Sequence, residues 1–206
     1  MLYIILICFL LVPIILVVGL FYAYKKLTRS YFLLLLFTLI AGPFVAFKFY
    51  ERGFMLSVVP DALHVTSISY SEEESWGFGP GGNEAGIRVY PLPERVANEI
   101  LQRGMEFFDN LPPNQNYQNR EWRGEYDSWH QTPISQNKYW KLKEETKHLD
   151  IYDYICMYGF CIDINPSVVK EADNIVNSDG SYYAYGRIGL IIISPSKRLV
   201  LYMYNG

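Results

Sequence analysis

The sequence predicts an α+β protein: an N-terminal two-helix transmembrane hairpin (residues 1–53) followed by one mixed outer domain (residues 54–206) with an antiparallel sheet and helices on one face. Three observations carry this prediction. Two long runs without charge open the chain; the charge balance changes abruptly after them; and strand-like segments stand at both ends of the remaining sequence with helical patterns between.

Leu2 to Tyr24 reads "LYIILICFLLVPIILVVGLFYAY" and Tyr31 to Phe47 reads "YFLLLLFTLIAGPFVAF", both free of charged residues. A helix needs about 20 apolar residues to cross a hydrocarbon core of about 30 Å, with about 17 as the lower limit. Both segments meet this, and the expected spans are about 2–24 and 31–48. A buried core helix is the alternative, but an all-round apolar segment with no polar face suits lipid better than a small soluble domain. A cleaved signal peptide fits poorly. No basic stretch precedes the first run, and "GLFYAYKK" after it is bulky where a signal peptidase requires small residues. Pro13 and Pro43 fall within the spans, where neighbouring groups re-satisfy the freed carbonyls.

The link "KKLTRS" is short enough to make the spans antiparallel, and its Lys25, Lys26 and Arg29 favour the cytoplasmic side. Lys48 and Arg52 after the second span oppose that bias but do not reverse it. The expected location is therefore a bacterial inner membrane, crossed twice, with the C-terminal domain in the periplasm. The absence of an N-x-[ST] sequon agrees with a bacterial envelope, the near miss being Asn165-Pro-Ser.

Residues 1–50 contain no Asp or Glu, so all 21 acidic residues lie in 51–206 with 14 of the 18 basic ones, a balance of 14 − 21 = −7. That balance, without a basic stripe, argues against nucleic acid. In chain order, "ALHVTSISY" (62–70) and "GIRVYP" (86–91) predict strands, and "ERVANEILQRGMEFFDN" (94–110) a helix with Val96, Ala97, Ile100, Leu101 and Phe108 on one face. Residues 110–138 predict no regular structure, and "YWKLKEETKHL" is ambiguous. "YDYICMYGFCIDI" reads as a strand and "PSVVKEADNIVN" as a helix opened by Pro166 after Asn165. The end reads as a hairpin: "YYAYGRIGLIIIS", the turn "PSKR", then "LVLYMYN".

Cys8 is expected to be a small packing residue in the first span. Cys156 and Cys161 are a disulfide candidate with an internal conflict. An exterior compartment favours the bond and Gly159 offers a turn, whereas five residues along one continuous strand would point the two thiols to opposite faces.

Two segments stand out as recognition candidates. "SWGFGPGGNEAGIRVYPLPE" (75–94) packs five glycines and three prolines around aromatic residues. Its GFGPGG satisfies G-x-G-x-x-G by letter, but Pro80 interrupts it and a strand follows where a dinucleotide site needs a helix, so no nucleotide is expected. A glycine-rich hairpin loop is the plain interpretation; as a recognition loop it would display Trp76, Phe78, Asn83 and Glu84 next to Glu72, Glu73 and Glu74. In "REWRGEYDSWHQTP" (120–133), Trp122, Tyr126 and Trp129 would form one stripe on a helix, as core or as an exposed platform, with Gly124 opposing an unbroken helix.

No catalytic residue, metal or cofactor is expected. His64, His130 and His148 are scattered without HExxH spacing, GxSxG is missing, and neither Cys156 nor Cys161 has a catalytic signature. Glu84 with Asp127 or Glu125 could serve as an acid pair, but solvated surface carboxylates are the simpler interpretation. The spans carry few polar groups, Thr38 and the end tyrosines, which suits an anchor better than a channel. The expectation is a protein-binding module, most concretely an immunity-type protein that neutralises a toxin acting in the periplasm. The alternatives are an accessory structural subunit of an envelope complex, and a cell-wall glycan binder or hydrolase using Trp122 to Trp129.

Overall fold

The computed structural model describes residues 2–76, 83–115, 120–135, 137, 139–140, 148–159 and 161–206. The chain divides into two compact units, Met1–Gly53 and Phe54–Gly206. In the first, α1 runs Leu2–Lys26 and α2 runs Arg29–Leu56, with α2's last residues belonging to the second unit. Lys25 and Lys26 form the last turn of α1, where cations meet the negative end of the helix dipole. The turn between the helices is therefore tighter than the six-residue link predicted. The rings of Tyr24 and Phe32 meet edge to face across it at 5.2 Å.

α2 has 28 residues, about 42 Å at ~1.5 Å per residue. It is long and apolar enough to cross a membrane, and its side chains are unburied. Among the described residues it is the helix that meets this test, so a membrane-spanning helix is supported for the second predicted span alone. Pro43 is carried inside α2 without ending it.

The second unit is a mixed α+β fold around a six-stranded antiparallel sheet in the order β1-β2-β6-β5-β4-β3. The strands are β1 Tyr70–Trp76, β2 Asn83–Pro91, β3 His130–Gln131, β4 Tyr182–Tyr185, β5 Leu190–Ser194 and β6 Leu199–Asn205. Helices among the described residues include α3 Glu94–Arg103, α4 Met105–Asp109, α5 Ile151–Ile155 and α6 Pro166–Asn177.

The helices cover both faces of the sheet, not one as predicted. On one face Ala85, Ile87, Leu190, Ile192, Leu201 and Met203 pack with α5, α6 and Trp140. On the other Tyr90, Ile191, Ile193, Val200 and Tyr202 pack with α3, α4 and Trp129. Adjacent residues of β5 and β6 thus enter opposite cores, which is why both strands are apolar at almost every position instead of alternating.

Other differences have local causes. Residues 62–70 do not form the predicted strand. Asp61–Leu63 is a 3-10 turn closed by His64 at φ 51°, and Val65 and Ile68 pack onto the α3/α4 core outside the sheet. The ladder with β2 begins at Tyr70, preceded by one backbone bond in which Ser69 N donates to Val89 O at 2.9 Å. The single helix predicted over 94–110 breaks at Gly104, φ 59°, into α3 and α4. The break turns both Phe107 and Phe108 inward and leaves Leu101 58% exposed. "YDYIC" is helical, started by the Asp150 side chain accepting from Tyr152 N at 2.9 Å. The predicted terminal hairpin is a three-stranded meander, because Gly186 N donates to Gly189 O and Gly189 takes φ 84°, reversing the chain before β5.

Candidate functional site

The recognition residues read from residues 75–94 fall on the β1–β2 hairpin. The two strands pair one-to-one from Tyr70↔Val89 to Trp76↔Asn83, so Trp76 and Asn83 are the last opposed pair before the tip. Phe78 and the tip, residues 77–82, lie outside the described residues. Glu84 is exposed, and its backbone exchanges two hydrogen bonds with Gly206.

The base of this hairpin is held by a charged network absent from the sequence expectations. Arg88 on β2 is only 5% exposed. Its Nη2 donates to Glu73 on β1 and, at 3.1 Å, to the Tyr204 hydroxyl on β6, which itself donates to Glu73. The guanidinium also lies 5.0 Å from the centre of the Tyr204 ring. Gly86 makes this possible: a Cβ there would come within 2.4 Å of the Tyr204 ring. Three strands are therefore tied together by one carboxylate, one guanidinium and one phenol.

The electrostatics follow from that geometry. Burial alone would raise the Glu73 pKa, but the hydrogen bonds from Tyr204 and Arg88 and the attraction of the guanidinium outweigh it, leaving the carboxyl below its ordinary value. Burial raises the Tyr204 hydroxyl well above the usual range, against the pull of Arg88, and the bond to Glu73 adds to the rise. A lowered carboxyl pKa in the folded state means stability present above the unfolded value of 4.5 and lost as pH falls through the folded value. Wild type is therefore expected to be more stable than Glu73→Gln at pH 7, with the difference shrinking as pH falls below 4.5 and vanishing once pH has passed below the lowered folded value. Denaturant unfolding of both proteins at stepped pH checks this; a difference independent of pH would show that the charge of Glu73 is not what matters.

The second candidate segment does not form a stripe. Glu121 and Ser128 take positive φ (55° and 56°) and Gly124 takes φ 77°, so Trp122, Tyr126 and Trp129 do not share a helical face. Trp129 is 9% exposed and packs its ring 4.5 Å from Phe108. Trp122 and Tyr126 are half-buried. The aromatic cluster is thus largely core, and an exposed platform of three rings is not present.

What this segment does instead is bind the chain that leaves α2. Arg120 pairs with Asp61 and donates to Ser57 O at 2.6 Å and Val59 O at 2.8 Å. Arg123 Nε donates to Ser57 Oγ at 2.9 Å, and its guanidinium lies 4.8 Å from the Phe54 ring centre. The hydroxyls of Tyr126 and Tyr90 donate to Val58 O and Met55 O, each at 2.8 Å. Asn114 completes the clamp, accepting from Asp61 N and donating to Gly124 O. Residues 54–61 are consequently fixed to their own unit by two arginines, two tyrosines and an asparagine.

Cys156 and Cys161 are joined as a disulfide with Cα atoms 4.7 Å apart. Cys156 ends α5 and Gly159 adopts φ 80°, so the two residues lie across a turn and the strand geometry that would separate them does not arise. Two shallow cavities flank α6. One of about 450 Å³ is lined by His148, Asp150, Asp173 and Asn177 among others, and one of about 390 Å³ by Tyr152, Asp163, Lys170 and Asp173. Their polar groups already serve the fold: Asp173 accepts from Ile151 N and Asn177 bonds both N and O of Leu149, each at 2.8 Å. Among the described residues no cluster of His, Cys, Asp and Glu could hold a metal ion.

No protein-family model, curated protein or solved structure matches this chain.

Proposed function

We propose that this chain is an inner-membrane protein of a bacterial envelope, anchored by α1 and α2, whose second unit faces the periplasm and binds another protein. The most concrete form is an immunity-type protein that neutralises a toxin acting there. The observation that carries the binding reading is the β1–β2 hairpin: a regular two-stranded arm with Glu72, Glu73, Glu74 and Glu84, braced at its base by Arg88 and Tyr204 and leading to a glycine-rich tip with Trp76 and Asn83 at its neck. Braced acidic surfaces speed capture of basic partners and make it salt-sensitive. The disulfide Cys156–Cys161 supports an oxidising compartment, and Lys25, Lys26 and Arg29 at the turn support a cytoplasmic link.

Sidedness is tested with an impermeant maleimide on intact cells carrying Cys8→Ala. Labelling only after reduction is expected, whereas labelling only after lysis and without reductant would overturn the periplasmic placement. Binding is tested by a photo-reactive amino acid in place of Glu84 in the full-length chain. One covalently trapped protein that also binds the purified chain is expected, and failure to trap any protein would remove the binding reading.

A further inference from the structure

We propose that the open edge of β1 is a docking strand that receives an extended, basic segment of the partner protein as a seventh strand of the sheet. The inference rests on the protein-binding reading of this hairpin and gives that partner a chemistry. Among the described residues β1 is the terminal strand of the sheet, and β2 is the one strand with which its backbone pairs. The direction of its free groups can be read from the register. Glu84 and Gly206 exchange both backbone hydrogen bonds, so the even-numbered residues of β2 face β6 and the odd-numbered residues 83, 85, 87 and 89 face β1. Their partners on β1 are Trp76, Glu74, Glu72 and Tyr70. Ser71, Glu73 and Ser75 therefore turn N–H and C=O outward, and all three residues are exposed.

The two edges of the sheet are treated differently. At the far edge β3 is two residues long and runs into Pro133, the kind of short, proline-bounded edge that prevents further pairing. β1 is seven residues long, holds no proline and keeps its register with β2 without a bulge. It lacks these blunting devices, and its charges are all of one sign.

That sign selects the occupant. A second copy of this chain pairing antiparallel about Glu73 would set Glu73 against Glu73 and Glu72 against Glu74, an unfavourable like-charge ladder. A strand carrying Lys or Arg at alternate positions meets the opposite situation. Glu73 is already engaged by Arg88 on one face of β1, while Glu72 and Glu74, which share its other face, have no ion-pair partner among the described residues. Backbone bonds to Ser71, Glu73 and Ser75 would supply affinity, and the free glutamates would select basic side chains.

The test uses the full-length chain in non-ionic detergent with an eight-residue peptide of alternating Lys and Val, an alternating Glu and Val peptide, and the Lys peptide with proline at its centre. The Lys peptide is expected to slow amide exchange at Ser71, Glu73 and Ser75 by about tenfold or more, and the two controls to leave it unchanged. Ser75→Pro removes an outward N–H without touching a β2 bond and should abolish the protection; Glu72→Lys with Glu74→Lys should weaken binding about tenfold or more at low salt. Protection confined to other residues, equal effects of the Lys and Glu peptides, or unchanged binding to Ser75→Pro would overturn the docking strand. Protection of the same amides that rises with protein concentration in the absence of peptide would assign the edge to a second copy and overturn it too. If the peptide result fails while Glu84 still traps a protein, only the strand mode is wrong; if both fail, the binding reading falls with it.

Discussion

Replacing Arg120 with alanine is expected to destabilise the Phe54–Gly206 unit by about 3 kcal/mol, among the largest effects of any side chain outside the hydrophobic cores. The guanidinium serves three acceptors: the carbonyls of Ser57 and Val59 and the Asp61 carboxylate. Its own side chain is 12% exposed and that of Asp61 41%. Alanine would leave two inward carbonyls without a donor and Asp61 without its cation. Each orphaned carbonyl costs about 1–2 kcal/mol, while Asp61, well solvated, adds little. Lysine should recover less than half, since one ammonium cannot span three acceptors that the planar fork reaches together. Denaturant unfolding of full-length protein in detergent, followed by tryptophan fluorescence, reads this directly, and a fall in midpoint temperature of roughly 6–12 °C should accompany it. A loss under 0.5 kcal/mol would show that residues 54–61 are held by Tyr90 and Tyr126 without it.

Arg88→Ala is expected to cost a comparable amount, about 3 kcal/mol, and to loosen the β1–β2 hairpin as well. The substitution removes the stacking on Tyr204 and the bond to Glu73, and it empties volume in a region where Tyr90 and Tyr202 are fully enclosed. Glu73 limits the damage, because 44% of its side chain is exposed and water can take over part of the lost bonding. The diagnostic partner is Arg88→Met with Glu73→Gln. Removing both charges while keeping the volume should return stability to within about 1 kcal/mol of wild type. Amide exchange along β1 separates a local from a global effect: Glu72 and Glu74 should lose protection in Arg88→Ala and regain it in the double variant. A double variant as unstable as the single one would mean that the hydrogen bonds and stacking of the guanidinium itself, and neither volume nor an unpaired charge, set the cost.

The sequence made some of this fold legible. Asn165 followed by Pro166 marked the start of α6, and the described helix has the predicted bounds. "LIIIS" and "LVLYMYN" were recognisable as strands. Their near-continuous apolar character also held the evidence for two covered faces, and reading them as one terminal hairpin over a single core overlooked it. Residues 62–70 carried strand propensity but were outcompeted. A β-branched residue gains as much by packing against the α3/α4 core as by joining a ladder, and propensity does not distinguish the two.

At the candidate site a glycine-rich hairpin loop was legible, whereas the strand Tyr70–Trp76 that leads into it and the brace at its base were not. Arg88 lies on β2 and Tyr204 on β6, 116 residues apart, and local spacing holds no signal for such a pair. Gly86 was the available clue. An isolated glycine within a strand pattern points to close approach by another group, here the ring of Tyr204. The spacing of Trp122, Tyr126 and Trp129 misled because a helical period was applied to residues 121–129, where the positive φ of Glu121, Gly124 and Ser128 leaves no helix.

The place of β6 in the sheet order has a consequence for how the protein is made. β6 follows the other five strands in sequence yet separates the β1–β2 hairpin from the β5–β4–β3 half. Until it leaves the ribosome, β2 has an open inner edge and Arg88 lacks Tyr204. At about 5–20 residues per second, the 116 residues between them take roughly 6–23 s to synthesise. Throughout that interval the nascent hairpin exposes Ile87 and Val89 to its surroundings. Shortening the chain within Leu199–Asn205 should therefore leave two half-sheets with open inner edges, prone to aggregation.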